Sequence, residues 1–247
     1  MTTTIPKTPK PADGPELAFL PRPPAPEEGL PRRGLLAASG LRALRRWAPP
    51  GGFSRPPLWG GLTSLTVWPD FFLAGPVLGA PMAVLTLEEL LRRGGEEFIF
   101  FGLAGALGEG LRPGDILCPD SGLTTEGTSA HYPAPLAPAP DLRRLILAQG
   151  QPVYGGAIWS TDAPYRETAA QMAAFKAAGA AAVDMETTAL WAAARFRRRR
   201  LAAILVIDDI LSASGHQIGR DRPRFRRGLN LAARLALKVA GPEIPAP

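Results

Sequence analysis

The sequence predicts an α/β fold in which strands and helices alternate around a sheet core, and three observations carry that prediction. From about residue 62, short apolar runs alternate with amphipathic stretches of helical period. Two of those runs, EFIFFGLAG (97–105) and LAAILVIDD (201–209), are apolar at successive positions, as strands buried on both faces require. The 247 residues, 46% apolar and 20% charged, are enough for one large α/β core or two small ones, and they exclude full-length disorder. The chain is read as a proline-rich tail over 1–28 followed by a single domain over 29–247.

The elements follow in order. The tail is rich in prolines, as in Pro21-Arg-Pro-Pro-Ala-Pro26, which remove donors and disfavour helix and sheet interiors. A short helix is predicted over 34–47, with Leu36, Leu41, Leu44 and Trp47 on one face, ended by Pro49-Pro-Gly-Gly52. Strands are predicted at 62–68, by alternation, and at 71–75, by burial. A glycine-proline loop over 75–82 leads to an amphipathic helix over 83–93, capped by Gly94-Gly95. Further strands are predicted at 97–105, 114–119, 152–159, 180–184 and 201–209. Helices are predicted at 167–179, 185–196 and 224–241.

Composition narrows the function classes. No apolar run approaches the roughly 20 residues of a membrane helix. The start, MTTTIPKTPKPADG, lacks a secretory apolar segment, so a cytoplasmic location is expected. A single cysteine, Cys118, excludes an internal disulfide framework and multi-cysteine zinc sites, and suits a core position better than a nucleophile. Two histidines, His131 and His216, argue against a His-built metal centre, and no metal or organic cofactor is expected. The net charge of +6 could serve nucleic acid or anionic small molecules. Its densest cluster, Arg195 with Arg197–Arg200, falls at a predicted helix end, where the dipole favours cations; no nucleic-acid or membrane partner is expected.

In α/β sheets, ligands gather at the carboxyl ends of strands, and three such ends stand out. Gly102-Leu-Ala-Gly105 lets a ligand approach the backbone, or simply makes a tight turn. Neither GxGxxG nor GxxxxGK[ST] occurs there. Val183-Asp-Met-Glu-Thr187 places two acids around a methionine at a strand-to-helix junction. Capping would account for Asp184 and Glu186 but not for Met185. Ile207-Asp208-Asp209 ends a buried strand on paired carboxylates, suited either to general-acid chemistry or to a turn cap.

Together and in this order, these segments resemble the nucleoside phosphorylase superfamily of uridine phosphorylases, purine nucleoside phosphorylases and adenosylhomocysteine-type nucleosidases. GPVLGAP (75–81), FFGLAGALGEGLRPGDIL (100–117), EGTSAHY (126–132), STDAPYRET (160–168), AVDMETTAL (182–190) and LVIDD (205–209) carry the likeness over about residues 60–240. EGTSAHY is closest to uridine phosphorylases. The resemblance implies a three-layer α/β/α sandwich around a mixed, partly barrel-like sheet, in a homo-oligomer from dimer to hexamer. It implies cleavage of a nucleoside's N-glycosidic bond by phosphate as co-substrate, giving free base and ribose 1-phosphate. Water as acceptor, or a nucleoside-binding non-enzyme, are the alternatives.

By the same resemblance, Glu186 accepts the ribose hydroxyls, Met185 packs beneath the sugar and Asp208 acts as the catalytic acid on the base. Asp184, Gly105 and Tyr165 complete the substrate-binding set, with Gly102 and Arg55 as candidates for phosphate. His131 matches a His-aromatic pair without an assigned role. The chain departs from the family at Pro164, where many members carry an aromatic that stacks on the base. It departs again at Phe100 and Leu103, where phosphorolytic members carry Arg and Ser or Thr. Neither Phe nor Leu can bind an oxyanion.

Overall fold

A computed structural model describes residues 25, 28–108, 110–212, 215–219 and 222–241. The proline-rich tail expected over 1–28 lies outside the described residues except for Ala25 and Glu28.

The first described strand, β1 (Arg33–Ala37), occupies part of the stretch read as a helix over 34–47. Helix α1 covers only Leu41–Trp47. Tertiary pairing overrides the helical spacing here. Leu35, Leu36 and Ala37 are fully buried between two parallel neighbours, and Gly40, at φ +70°, separates strand from helix. Strand β2 (Phe53–Leu58), unpredicted, pairs antiparallel with β3 (Thr63–Val67), which pairs with β4 (Phe71–Gly75). Helix α2 (Gly79–Arg92) begins inside the stretch read as a loop. Pro81 does not prevent this, because a first-turn N–H has no intrahelical partner to lose.

Strand β5 (Glu97–Leu107) is the centre of the sheet. Strand β6 is reduced to Ile116–Leu117, and β7 (Ser121–Thr124) and helix α3 (Pro140–Leu147) were not predicted. The run 152–159 splits into β8 (Val153–Tyr154) and β9 (Ala157–Ser160) at Gly156, whose φ is +130°. Helix α4 (Ala169–Ala177), strand β10 (Ala180–Asp184) and helix α5 (Thr187–Phe196) follow as expected. Strand β11 (Arg200–Ser212) turns into β12 (Gly215–Ile218), and α6 (Pro223–Ala240) completes the described fold.

Among the described residues, one mixed, branched sheet of twelve strands results, with the path β2-β3-β4-β1-β5-β10-β9-β7 and β11 on the other edge of β5. Helices cover both faces. On one face Phe98, Phe100, Leu205 and Ile207 pack with Val84, Leu87, Leu190 and Trp191 of α2 and α5. On the other, Ile99, Phe101, Ile204 and Val206 pack with Leu44, Leu142, Leu235 and Ala236 of α1, α3 and α6. The alternation along β5 and β11 assigns successive side chains to opposite layers, so the three-layer α/β/α arrangement is what the structure adopts.

Two details of the sheet position the site. Along one edge, β5 pairs in parallel with β1 as far as Phe101, then antiparallel with β10 from Gly105. Residues 102–104 have no ladder partner on that edge, a switch point of the kind that admits ligands. On the other edge β11 pairs with β5 throughout, but Ile207 opposes Ala104 while Asp209 opposes Gly105, so Asp208 is an extra residue in a bulge.

At the opposite end of the central strands, Glu97 is 3% exposed and accepts hydrogen bonds from Arg33 Nε at 3.0 Å and Nη2 at 2.9 Å. Arg200 pairs with the same carboxylate, so β1, β5 and β11 are tied at their starts. Burial works against the charge, but Arg33 and Arg200 outweigh it and hold the Glu97 carboxyl below the usual range. Glu97→Ala is expected to cost about 1–3 kcal/mol of stability at neutral pH, read by urea unfolding. Because the native carboxyl is held low, this advantage is present above the ordinary carboxylate range and is lost on acidification. A gap between wild type and variant that persists in acid would contradict the charge-based account.

Candidate functional site

The β10–α5 junction is built by Asp184. Its Oδ1 accepts from Ser160 Oγ at 2.5 Å, and its Oδ2 accepts from the backbone N of Thr187 at 3.0 Å and from the Thr187 hydroxyl. The capping reading is thus correct for Asp184: its oxygens hold β9 and the first turn of α5. Ser160 Oγ in turn accepts from Thr188 N at 3.1 Å. This network turns the chain so that Met185 and Glu186 face an open space. Glu186 Oε1 accepts from Gly79 N at 2.7 Å. Gly79 presents that N–H from a backbone at φ +76°, a conformation that L side chains resist.

The open space is a cavity of about 510 Å³, within the range of small-molecule sites. Its floor is Leu103, Ala104 and Gly105, the stretch of β5 around the change of partner. Asp184, Met185 and Glu186 enter from β10 and α5, and Asp208 and Asp209 from β11. In a regular strand, consecutive residues point to opposite faces; the bulge at Asp208 lets both line the same cavity. Loop 219 holds the bulge, with Gly219 N donating to the Asp208 carbonyl at 2.9 Å. Pro164, Tyr165 and Glu167 form the rim, Tyr165 being fully exposed.

Gly105 has a steric role. A Cβ there would lie 2.5 Å from both Asp209 Oδ1 and Leu211 Cδ1. Only glycine lets the Asp209 carboxylate lie over the strand.

Of the residues named from sequence, Asp184, Met185, Glu186, Gly105, Tyr165 and Asp208 converge on this cavity, and Gly102 and Arg55 do not line it. A Cβ at Gly102 would meet the Phe100 ring and Leu205 Cδ2 at 3.1–3.2 Å, so the position belongs to packing. Arg55 lies on β2 with its guanidinium 5.0 Å from the centre of the Phe53 ring. Phe100 is fully buried core, and Leu103 contributes only hydrocarbon to the floor. The segment 126–132 serves structure: Glu126 accepts from Thr188 Oγ1 at 3.1 Å and from the backbone of Thr128 and Ser129, while His131 is exposed outside the cavity.

Sequence reasoning missed Ser39, Glu167, Asp209 and His216 as lining residues. The Asp-Asp pair was visible, but only the bulge aims both acids inward. Ser39 lies in a turn hidden by the helical reading of 34–47, and its Oγ is buried without a hydrogen-bond partner among the described residues. Cys118 is buried, which pushes its thiol up to about 12, consistent with a core role.

The lining carries five carboxylates and, among the described residues, no Arg or Lys. Burial pushes Glu186 up to about 8, with the nearby Asp184 charge adding to it. Burial also raises Asp184, to about 6, though the Ser160 and Thr187 hydrogen bonds oppose the rise. Burial and the Asp209 charge raise Glu167. A native carboxyl raised above its ordinary value near 4.5 holds a proton that the unfolded chain releases. Its stabilising contribution is complete below that value and is lost as pH rises toward about 8. The melting temperature of Glu186→Gln is therefore expected to gain on wild type between pH 5 and pH 8. A difference that stays constant over that range would show that Glu186 does not titrate there.

Residues 69–240 match the Phosphorylase superfamily. A guanosine phosphorylase of Halorubrum lacusprofundi is 33% identical over 159 residues, 62% of this chain and 66% of that protein, so the match spans just under two thirds of that relative. The fold is similar to that of purine nucleoside phosphorylase from Toxoplasma gondii, solved with immucillin-H (TM-score 0.75, 15% identity, 89% of this chain and 94% of that one). It is also similar to that of uridine phosphorylase from Vibrio fischeri (TM-score 0.73, 21% identity, 87% and 93%). With residues 69–240, more than half of the chain, inside the family match and this α/β/α fold around the mixed sheet, the chain belongs to the phosphorylase superfamily.

Proposed function

We propose that this protein cleaves the N-glycosidic bond of a purine nucleoside, with phosphate as acceptor of the ribosyl group. The observation that carries the proposal is the convergence of Met185, Glu186 and Asp208 on one cavity at the sheet's switch point. The ribose-side residues lie just past the end of β10 and the base-side acids on β11. Val183 and Asp209 flank Gly105 on its two edges. Two strand spacings separate them, roughly 10 Å, a fit for a nucleoside laid across β5.

In this reading the Glu186 carboxyl group, held by Gly79 N–H, hydrogen-bonds the ribose hydroxyls, and Met185 packs on the apolar face of the sugar. As the bond breaks, its electron pair goes to the base nitrogen and positive charge builds on the ribose. Asp208, 3% exposed, gives its proton to the departing base. Phosphate then closes on the anomeric carbon. The purine assignment follows from Asp208, since the uridine-like segment 126–132 has no residue in the lining. The guanosine phosphorylase relative points the same way. Assembly as a homo-oligomer belongs to the same proposal, testable by light scattering.

One observation favours water as the acceptor instead: no Arg or Lys stands among the described lining residues to neutralise a phosphate dianion. Base release from guanosine, inosine, adenosine and uridine, followed by absorbance with and without phosphate, separates the two. Release that requires phosphate is expected; equal release without it would establish hydrolysis, and none from any nucleoside would refute both. Asp208→Asn is expected to lower kcat on purine nucleosides by about 10²–10⁴-fold while changing KM little. Equal losses in kcat and affinity would mark Asp208 as structural. Glu186→Ala is expected to remove measurable nucleoside binding by calorimetry.

A further inference from the structure

Beside Asp208, the cavity holds a carboxylate–imidazole pair. Asp209 Oδ2 lies 2.6 Å from His216 Nε2 across the β11–β12 hairpin. The other oxygen, Oδ1, is buried and has no hydrogen-bond partner among the described residues. Glycine at 105 is what makes room for it. A buried carboxylate oxygen left without a donor is costly, and such atoms in native structures are few. Asp209, which carries this unmet acceptor, is itself a lining residue of the ligand cavity, on the strand that carries Asp208.

We propose that Asp209 is a specificity-determining residue that accepts an N–H of the bound base through Oδ1, with His216 as the positioning residue that fixes the carboxylate through Oδ2. The inference rests on the nucleoside reading above and adds to it the chemical class of base. The preferred base carries an N–H donor, on a ring nitrogen or an exocyclic amine, on the edge turned toward β11. A base whose edge bears only acceptors would set lone pairs against the carboxylate. Discrimination is strong in this arrangement because the wrong ligand leaves a buried charged acceptor unpaired. His216 is half-exposed, with the Glu167 and Asp209 carboxylates facing it; its contribution is orientation, since the oxygen that reads the base is not the one it touches.

The test compares kcat/KM for inosine, guanosine and adenosine with kcat/KM for unsubstituted purine riboside, which has no N–H on its base. In wild type the best N–H-bearing nucleoside is expected to lead purine riboside by about 10–100-fold. Asp209→Ala is expected to collapse that ratio toward one, and His216→Ala to lower it part of the way, with His216→Gln restoring some of it. Asp209→Asn, which keeps the volume, serves if the alanine variant does not fold, as judged by thermal melting. Ratios unchanged in Asp209 variants that remain folded, or equal proportional losses on all substrates, would overturn the inference. Failure of wild type to cleave any nucleoside would instead overturn the reading on which it rests.

Discussion

The site depends on one pairing constraint: β5 must change partners midway. Strand β1 accompanies it only to Phe101, and β10 joins it, running the other way, only at Gly105. Between them, backbone that would otherwise sit inside a ladder borders an open space. Such an opening is tolerable because β11 holds the other edge over the whole length and the helices seal both faces with hydrocarbon. The same change of partner brings the end of β10 beside the end of β11. Acids far apart in sequence, Glu186 and Asp208, therefore share one small volume.

Concentrating carboxylates there has an electrostatic cost, and the chain meets it in two ways. Asp184 is saturated by Ser160 and Thr187, which makes it a structural anchor even though it borders the cavity. Glu186 receives backbone N–H groups, Gly79 among them, and is otherwise relieved by holding a proton more tightly than a free carboxyl does. Identical chemistry thus serves different ends according to the donors each acid is given. Asp209 is a third case, half satisfied by His216, with an oxygen left over. In the function proposed here, a bound nucleoside supplies the missing donors: hydroxyls for Glu186 and an N–H for Asp209.

Much of the fold was legible because its strands are written in hydrocarbon. The runs 97–105 and 201–209 need burial on both faces, so they could be placed at the sheet centre without knowing their partners. What misled was local ambiguity. Residues 34–37 carry apolar spacing compatible with a helix, and only the parallel neighbours β4 and β5 draw them into the sheet. Short strands such as β7, with four residues and little apolar content, owe their existence to an edge offered by β9.

The candidate site divides along the same line. Local order alone set the residue types: acids at two strand ends, a methionine between two of them, glycines at the end of a third strand. It also located the departures at Phe100, Leu103 and Pro164, because side-chain chemistry is a property of each position by itself. Which of those residues share a cavity was decided by the tertiary structure. It drew in Asp209, His216 and Ser39, left Gly102 and Arg55 outside, and assigned segment 126–132 to bracing α5. The reason is geometric: a single inserted residue at Asp208 reverses the facing of every side chain beyond it, and a strand's change of partner opens the floor. Neither event has a signature in composition or period, since both are set by where the neighbouring strands begin and end.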